Sequence, residues 1–359
     1  MTFRSSIDNV HQGPPQRTGE SVFLPPGRPK TLASDPVVCV SDTGVVAAHG
    51  RAPLPLHGAV ALREERGRTL AVPSSPFLRR DAGQKQQILR PPRRTQDDGA
   101  GVSELRRLFS GRKPVIPFLT AGFPSIPVFV DAATAACDAG ATALEIGMPF
   151  SDPLADGPAI QYSSQVALAG GMTLPKVLEI TARLSARLPI PILLMGYLNP
   201  IMQMGFDRFA CSAHDAGVAG TVIPDCPVDE AREWRAASRK AGLANVFLIA
   251  PTTPDERAAL IDECSTVFSY CVSVAGVTGV RRDVSDSTRR FLRRVQRVVK
   301  KPYVVGFGIS KPEHIRALKD LADGFVVGSA LVSILKDSPR PRMAGNIGRT
   351  IAGLVRAAG

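Results

Sequence analysis

From Val115 onward the chain consists of short apolar runs separated by amphipathic stretches, and this alternation limits its fold more than any other feature. The runs are "VIPFL", "TALEI", "PILLMGY", "GTVIP", "NVFLIA", "TVFSYCVS", "YVVGFG" and "GFVVGS". Each has the length of a buried strand, and stretches such as "VFVDAATAACDAG" and "DRFACSAHDAG" between them have helical spacing. Eight strands, each with a helical segment after it, in about 250 residues argue for α/β architecture with a parallel sheet, and fit a closed (β/α)8 TIM barrel. A doubly wound open sheet is the alternative. The barrel is preferred because no "GxGxxG" turn follows the first run, and because glycines end the last two.

Residues 1–100 read differently. They hold 12 of the 31 prolines, among basic clusters such as "RPPRRTQDDG", and no hydrophobic period persists. Such a segment is expected to be a disordered, basic Pro/Arg-rich extension, with the barrel domain occupying 101–359. It lacks the apolar core of a secretory signal, and it is neither serine-rich nor poor in acids, as an organelle transit peptide would be.

The formal net charge of +12 raises nucleic-acid binding as a function, so its distribution matters. Residues 1–100 carry 14 Lys+Arg against 9 Asp+Glu, which leaves +7 on the remaining 259. Much of that remainder lies in "RRFLRRVQRVVKK" (289–301), which reads as a solvated helix face, and the extension offers almost no interleaved aromatics. No nucleic-acid partner is expected. No apolar run approaches the roughly 20 residues of a membrane helix, so no membrane partner is expected either. Six cysteines (39, 137, 211, 226, 264, 271) form no CxxC pair and fit reduced thiols of a cytoplasmic protein. A plastid is the alternative if the extension is a transit peptide. Three of the five histidines precede residue 60, and His214 and His314 fall on expected helices, so no metal site is expected.

Chemistry in such barrels gathers at the C-terminal ends of the strands. In "LEIGMPFSDPLADGP" (144–158), Leu144 and Ile146 point one way along the second strand and Glu145 the other. If the apolar pair meets the helices, Glu145 faces the barrel mouth. None of the eight runs contains a lysine or arginine to neutralise it. Asp152 and Asp156 follow in Asp-Pro and Asp-Gly pairs that are ordinary turn formers, but their loop leaves the strand that carries Glu145. Asp225 ends the fourth run, as either a rim acid or a cap for the next helix. Asn199 and Tyr270 add polar groups, each equally able to be a satisfied turn or core residue. On the far side, "AGVTG" (275–279), "GFGIS" (306–310) and "GSA" (328–330) follow the last three runs. Glycines at consecutive late units, with a helix opening after Gly328, form a cradle for a phosphate ester.

Together "FLTAGFP", "LEIGMPFSDPLADGPAIQ", "GYLNPI", "IPDCP", "APTTP", "SVAGVTG", "GFGISKPEH" and "VVGSA" resemble the tryptophan synthase alpha chain family in order and spacing, over about residues 102–357. The acidic loop motif is specific to that family, whereas the glycine motifs are shared with other phosphate-binding barrels. The resemblance implies a lyase of tryptophan biosynthesis that cleaves indole-3-glycerol phosphate to indole and glyceraldehyde 3-phosphate without a cofactor, paired with a beta subunit in an α2β2 tetramer. By motif position it makes Glu145 the acid-base residue and Asp156 the catalytic aspartate. It places Phe118, Tyr197 and Tyr270 in the substrate pocket and Thr278 on a loop that closes over it. Gly279, Gly308, Gly328 and Ser329 fall at the phosphate, and Asp152 in the loop that meets the beta subunit. Phe123 stands where many relatives have an acid and Val274 where some have a base. A stand-alone lyase releasing free indole is the alternative.

Overall fold

The computed structural model describes residues 99–272, 284–306 and 308–359. The disorder expected for residues 1–100 lies outside them, except that Ala100 already opens the first helix. Among the described residues there are nine strands: β1 (Val115–Thr120), β2 (Leu144–Gly147), β3 (Ile192–Met195), β4 (Val218–Val222), β5 (Ala244–Val246), β6 (Leu248–Ile249), β7 (Ser269–Cys271), β8 (Tyr303–Val305) and β9 (Gly324–Val327). Around them run helices α1 (Ala100–Arg107), α2 (Ile126–Asp138), α3 (Pro158–Ala169), α4 (Leu174–Ser185), α5 (Leu198–Met204) and α6 (Phe206–Asp215). They continue with α7 (Arg232–Lys240), α8 (Asp255–Cys264), α9 (Asp286–Val298), α10 (Pro312–Leu318), α11 (Ser329–Asp337) and α12 (Met343–Ala358).

All the strand pairings are parallel, in the order β5-β4-β3-β2-β1-β9-β8-β7-β6. Only Phe247 separates β5 from β6, so the two edges of the sheet belong to one stretch of chain and the sheet closes as a TIM barrel. The single run "NVFLIA" therefore supplies two strands, and no helix follows the first of them. The break has a local cause. The Phe247 N–H donates to Ser265 Oγ (3.2 Å) instead of to a strand, while its carbonyl accepts from the Tyr270 N–H (3.0 Å).

Register decides what faces inward. Phe118, Glu145 and Leu193 are partners across β1, β2 and β3, and partners in a parallel sheet share a face. Their neighbours Leu119, Ile146 and Leu194 take the opposite face and are fully buried. Outside β1 the helix layer packs with Phe129, Ala132, Ala133 and Ala136 of α2 and Ile347, Ile351 and Leu354 of α12, all fully buried. Burying each large apolar side chain contributes about 1.5–3 kcal/mol, and this outer shell rigidly fixes where the inward side chains end.

The basic run of α9 behaves as the sequence led one to expect. Phe291, Leu292 and Val295 are buried, whereas Arg290, Arg293 and Arg297 are exposed. Two arginines tether the helix: Arg289 donates to the Ala317 carbonyl (2.9 Å), and Arg294 to those of Pro251 (2.9 Å) and Thr253 (2.8 Å). No described helix is long and apolar enough to cross a membrane.

Candidate functional site

Glu145 sits in β2 and is 1% exposed. Its Oε2 has no hydrogen-bond partner, and no ion pair reaches it among the described residues. Burial, with the negative charge of Asp156 second, pushes its carboxyl up to about 8. A carboxyl denied both water and a counter-ion keeps its proton.

Asp156 is half-buried in the loop from β2 to α3. Burial pushes it up to about 6, against the hydrogen bond it accepts from Tyr197. The Tyr197 hydroxyl donates to Asp156 Oδ2 (3.0 Å) and accepts from the Ala155 N–H (3.0 Å), so one phenol oxygen orients the whole acidic loop. Tyr197 is itself held by the ring of Phe150, stacked at 5.1 Å and 27°. The two acids thus titrate apart. Near neutral pH Glu145 is a carboxylic acid and Asp156 a carboxylate, a proton donor and a fixed anion in one mouth.

Aromatic rings complete the bowl. Tyr270 on β7 is buried, and burial, reinforced by the charges of Glu145 and Asp156, holds its phenol well above 10. Its ring lies against Gly306, where a Cβ would come within 2.1 Å of Tyr270 Cε1. Phe118 lies in the same way against Gly147, where a Cβ would come within 2.4 Å of Phe118 Cζ, and reaches across to Gly328. Bare backbone at two strand tips thus makes room for two rings.

After β9, two strands along from β2, Gly328 precedes α11, whose first residue is Ser329, and no side chain caps that helix start. Its leading N–H groups carry the positive end of the helix dipole. Gly308, with a positive φ of 66°, follows β8. The β8–β9 register pairs Val305 with Phe325, so the segments that carry Gly308 and Gly328 leave neighbouring parallel strands at the same end of the barrel.

Other expected residues fall elsewhere. Thr278, Gly279 and Val274 lie outside the described residues. Asp152 is exposed in the loop that carries Asp156, beside Leu154, which is 88% exposed. Asp225 caps a helix, but not the next one: its Oδ1 accepts from the Leu198 N–H (2.8 Å) at the start of α5, one unit back, which secures the segment carrying Tyr197. Asn199 is exposed in the first turn of α5. Phe123 is 2% exposed and meets the Tyr162 ring edge-on at 6.0 Å. Gly147 and Phe150 are not among the residues expected from the sequence, and Gly306, expected there only as part of the "GFGIS" phosphate cradle, lies against the Tyr270 ring. Gly147 was within reach, since it lies two residues beyond Glu145 and so shares its inward direction.

Comparison with known proteins gives the family. The family model described as tryptophan synthase alpha chain matches residues 106–349. A tryptophan synthase alpha chain of Roseiflexus castenholzii is 46% identical over 230 residues, covering 64% of this chain and 88% of that protein. One from Geobacter sulfurreducens is 41% identical over 248 residues, covering 69% and 92%. Among solved structures, the tryptophan synthase complex from Pyrococcus furiosus superposes with a TM-score of 0.63 at 38% identity, over 68% of this chain and 98% of that one.

Proposed function

The chain belongs to the tryptophan synthase alpha chain family and is a lyase, and we propose that it cleaves indole-3-glycerol phosphate to indole and glyceraldehyde 3-phosphate by acid-base catalysis in the mouth described above. The observation that carries this reading is the pairing of a buried, cation-free Glu145 with a more acidic Asp156 in one bowl.

The reaction breaks the bond between indole C3 and the first glycerol carbon. Glu145 begins as the acid and gives its proton to C3, which places positive charge on the ring nitrogen. The Glu145 carboxylate so formed then takes the proton of the adjacent glycerol hydroxyl. The oxygen becomes the aldehyde carbonyl, the carbon–carbon electron pair returns to the ring, and Glu145 is again protonated. Atoms balance with no added reagent. Asp156 accepts a hydrogen bond from the indole N–H and opposes the charge that develops there. Phe118, Tyr197 and Tyr270 wall the indole, and the N–H groups around Gly308, Gly328 and Ser329 receive the phosphate.

The exposed pair Asp152 and Leu154 lies on the loop that holds Asp156, and we place the beta subunit there, in an α2β2 assembly. Docking at that loop would act directly on Asp156. The cysteines among the described residues are all free, which supports a cytoplasmic setting.

Indole release by the purified chain, with and without a beta subunit, tests this reading. Strong activation by the partner is expected, and full turnover by the chain alone would favour a stand-alone lyase. Glu145→Gln should reduce turnover by roughly 10²–10⁴ while leaving substrate binding intact. Retained turnover removes the assignment.

A further inference from the structure

His314 on α10 is 5% exposed, and its imidazole is directed at the loop that leaves β8. Nδ1 lies 2.7 Å from the Gly308 carbonyl oxygen and 3.3 Å from the Ser310 backbone nitrogen. One ring nitrogen cannot donate to the first and accept from the second at once. A separation of 2.7 Å between two lone pairs would be repulsive, and the shorter contact decides: Nδ1 carries a hydrogen and donates to Gly308. Nε2 is buried with no hydrogen-bond partner among the described residues. A buried polar atom left unsatisfied is destabilising, and this one is tolerated on a ring whose other nitrogen grips the backbone of a glycine with positive φ.

The consequence follows from peptide geometry. In a trans peptide the C=O and the following N–H point in opposite directions. Holding the Gly308 carbonyl against α10 therefore turns the Ile309 N–H away from that helix. Gly308 is free to rotate because it is glycine, so a tether is needed to select one orientation. We propose that His314 is a positioning residue, which acts through the Gly308 carbonyl to aim the Gly308–Ile309 peptide for binding the substrate's phosphate. This rests on the reading of Gly308, Gly328 and Ser329 as the phosphate seat.

The experiment compares wild type, His314→Phe and His314→Asn. Phenylalanine keeps a ring but loses the donor, whereas asparagine offers an N–H where Nδ1 stands. Calorimetry with glycerol 3-phosphate gives affinity, and indole release gives KM and kcat separately. In the phenylalanine variant glycerol 3-phosphate affinity should fall and KM rise by roughly tenfold with kcat within about twofold, and asparagine should restore both constants to within about threefold. If wild type binds glycerol 3-phosphate and the phenylalanine variant binds it equally well, the role of His314 is overturned and the phosphate seat stands. If wild type does not bind it, both readings fall. The ¹⁵N spectrum of the wild-type imidazole is independent of any variant's folding. A proton on Nδ1 is expected, and a ring protonated on Nε2 alone overturns the proposal.

Discussion

Replacing Glu145 by glutamine keeps the shape of the side chain and removes only its ability to ionise, so the variant isolates the free energy of a charge in the barrel mouth. The folded carboxyl stands at about 8 against an ordinary 4.5. Between those values the folded chain binds more protons than the unfolded one, so stability falls as pH rises. The contribution is fully present below 4.5, is lost through the window up to about 8, and is constant above it. At about 1.36 kcal/mol for each pH unit, the loss reaches roughly 3 kcal/mol at pH 7 and on the order of 5 kcal/mol above pH 8. Glutamine does not titrate. Urea unfolding of both proteins at intervals from pH 5 to 9 reads the difference directly through the midpoint at constant slope. The variant should gain on wild type by several kcal/mol across that range. Parallel curves, agreeing within about 0.5 kcal/mol throughout, would mean that Glu145 ionises as it does in water, and the reasoning from burial without a cation would be wrong.

Three further outcomes follow from particular contacts. Gly306→Ala sets a methyl group 2.1 Å from the Tyr270 ring. The ring must move, and kcat/KM for indole release should fall by roughly 10²-fold, since misplacement by about 1 Å costs that much; unchanged kinetics would show that Tyr270 does not wall the substrate. Tyr197→Phe removes the hydrogen bond that holds Asp156 down, so the acid limb of the pH–rate profile should move above about 6, and a limb left in place would detach Tyr197 from Asp156. Leu154→Asp places a charge on an 88% exposed apolar tip and should weaken association with a beta subunit by about tenfold or more, measured by calorimetry, without altering the thermal stability of the isolated chain.

The barrel and its central acid were legible in the sequence because both follow from period. Strand-helix alternation constrains topology, and a period of two fixes the direction of Glu145 once Leu144 and Ile146 are assigned to the helices. What escaped reading depends on contacts between distant segments. Nothing in "NVFLIA" reveals that Ser265, just past the end of α8, will take the N–H of Phe247 and split the strand. Local turn rules assign Asp225 to the following helix, whereas the barrel brings the preceding unit's α5 within reach of its carboxylate. The pairing of Tyr270 with Gly306 needs the β7–β8 register, which sets Cys271 beside Val305. His314 was placed on a helix, but its grip on Gly308 depends on how that helix folds back over the loop. Directions set by a residue's own strand were readable; contacts set by a neighbouring unit were not.

The most direct test is the pH dependence of kcat/KM for indole release by the chain together with a beta subunit. Asp156 must be ionised and Glu145 protonated, with values of about 6 and about 8, so the expected result is a bell with limbs near those two values. A rate that is level from pH 5 to 9, or that keeps rising above pH 8, would contradict the assignment of Glu145 as the acid.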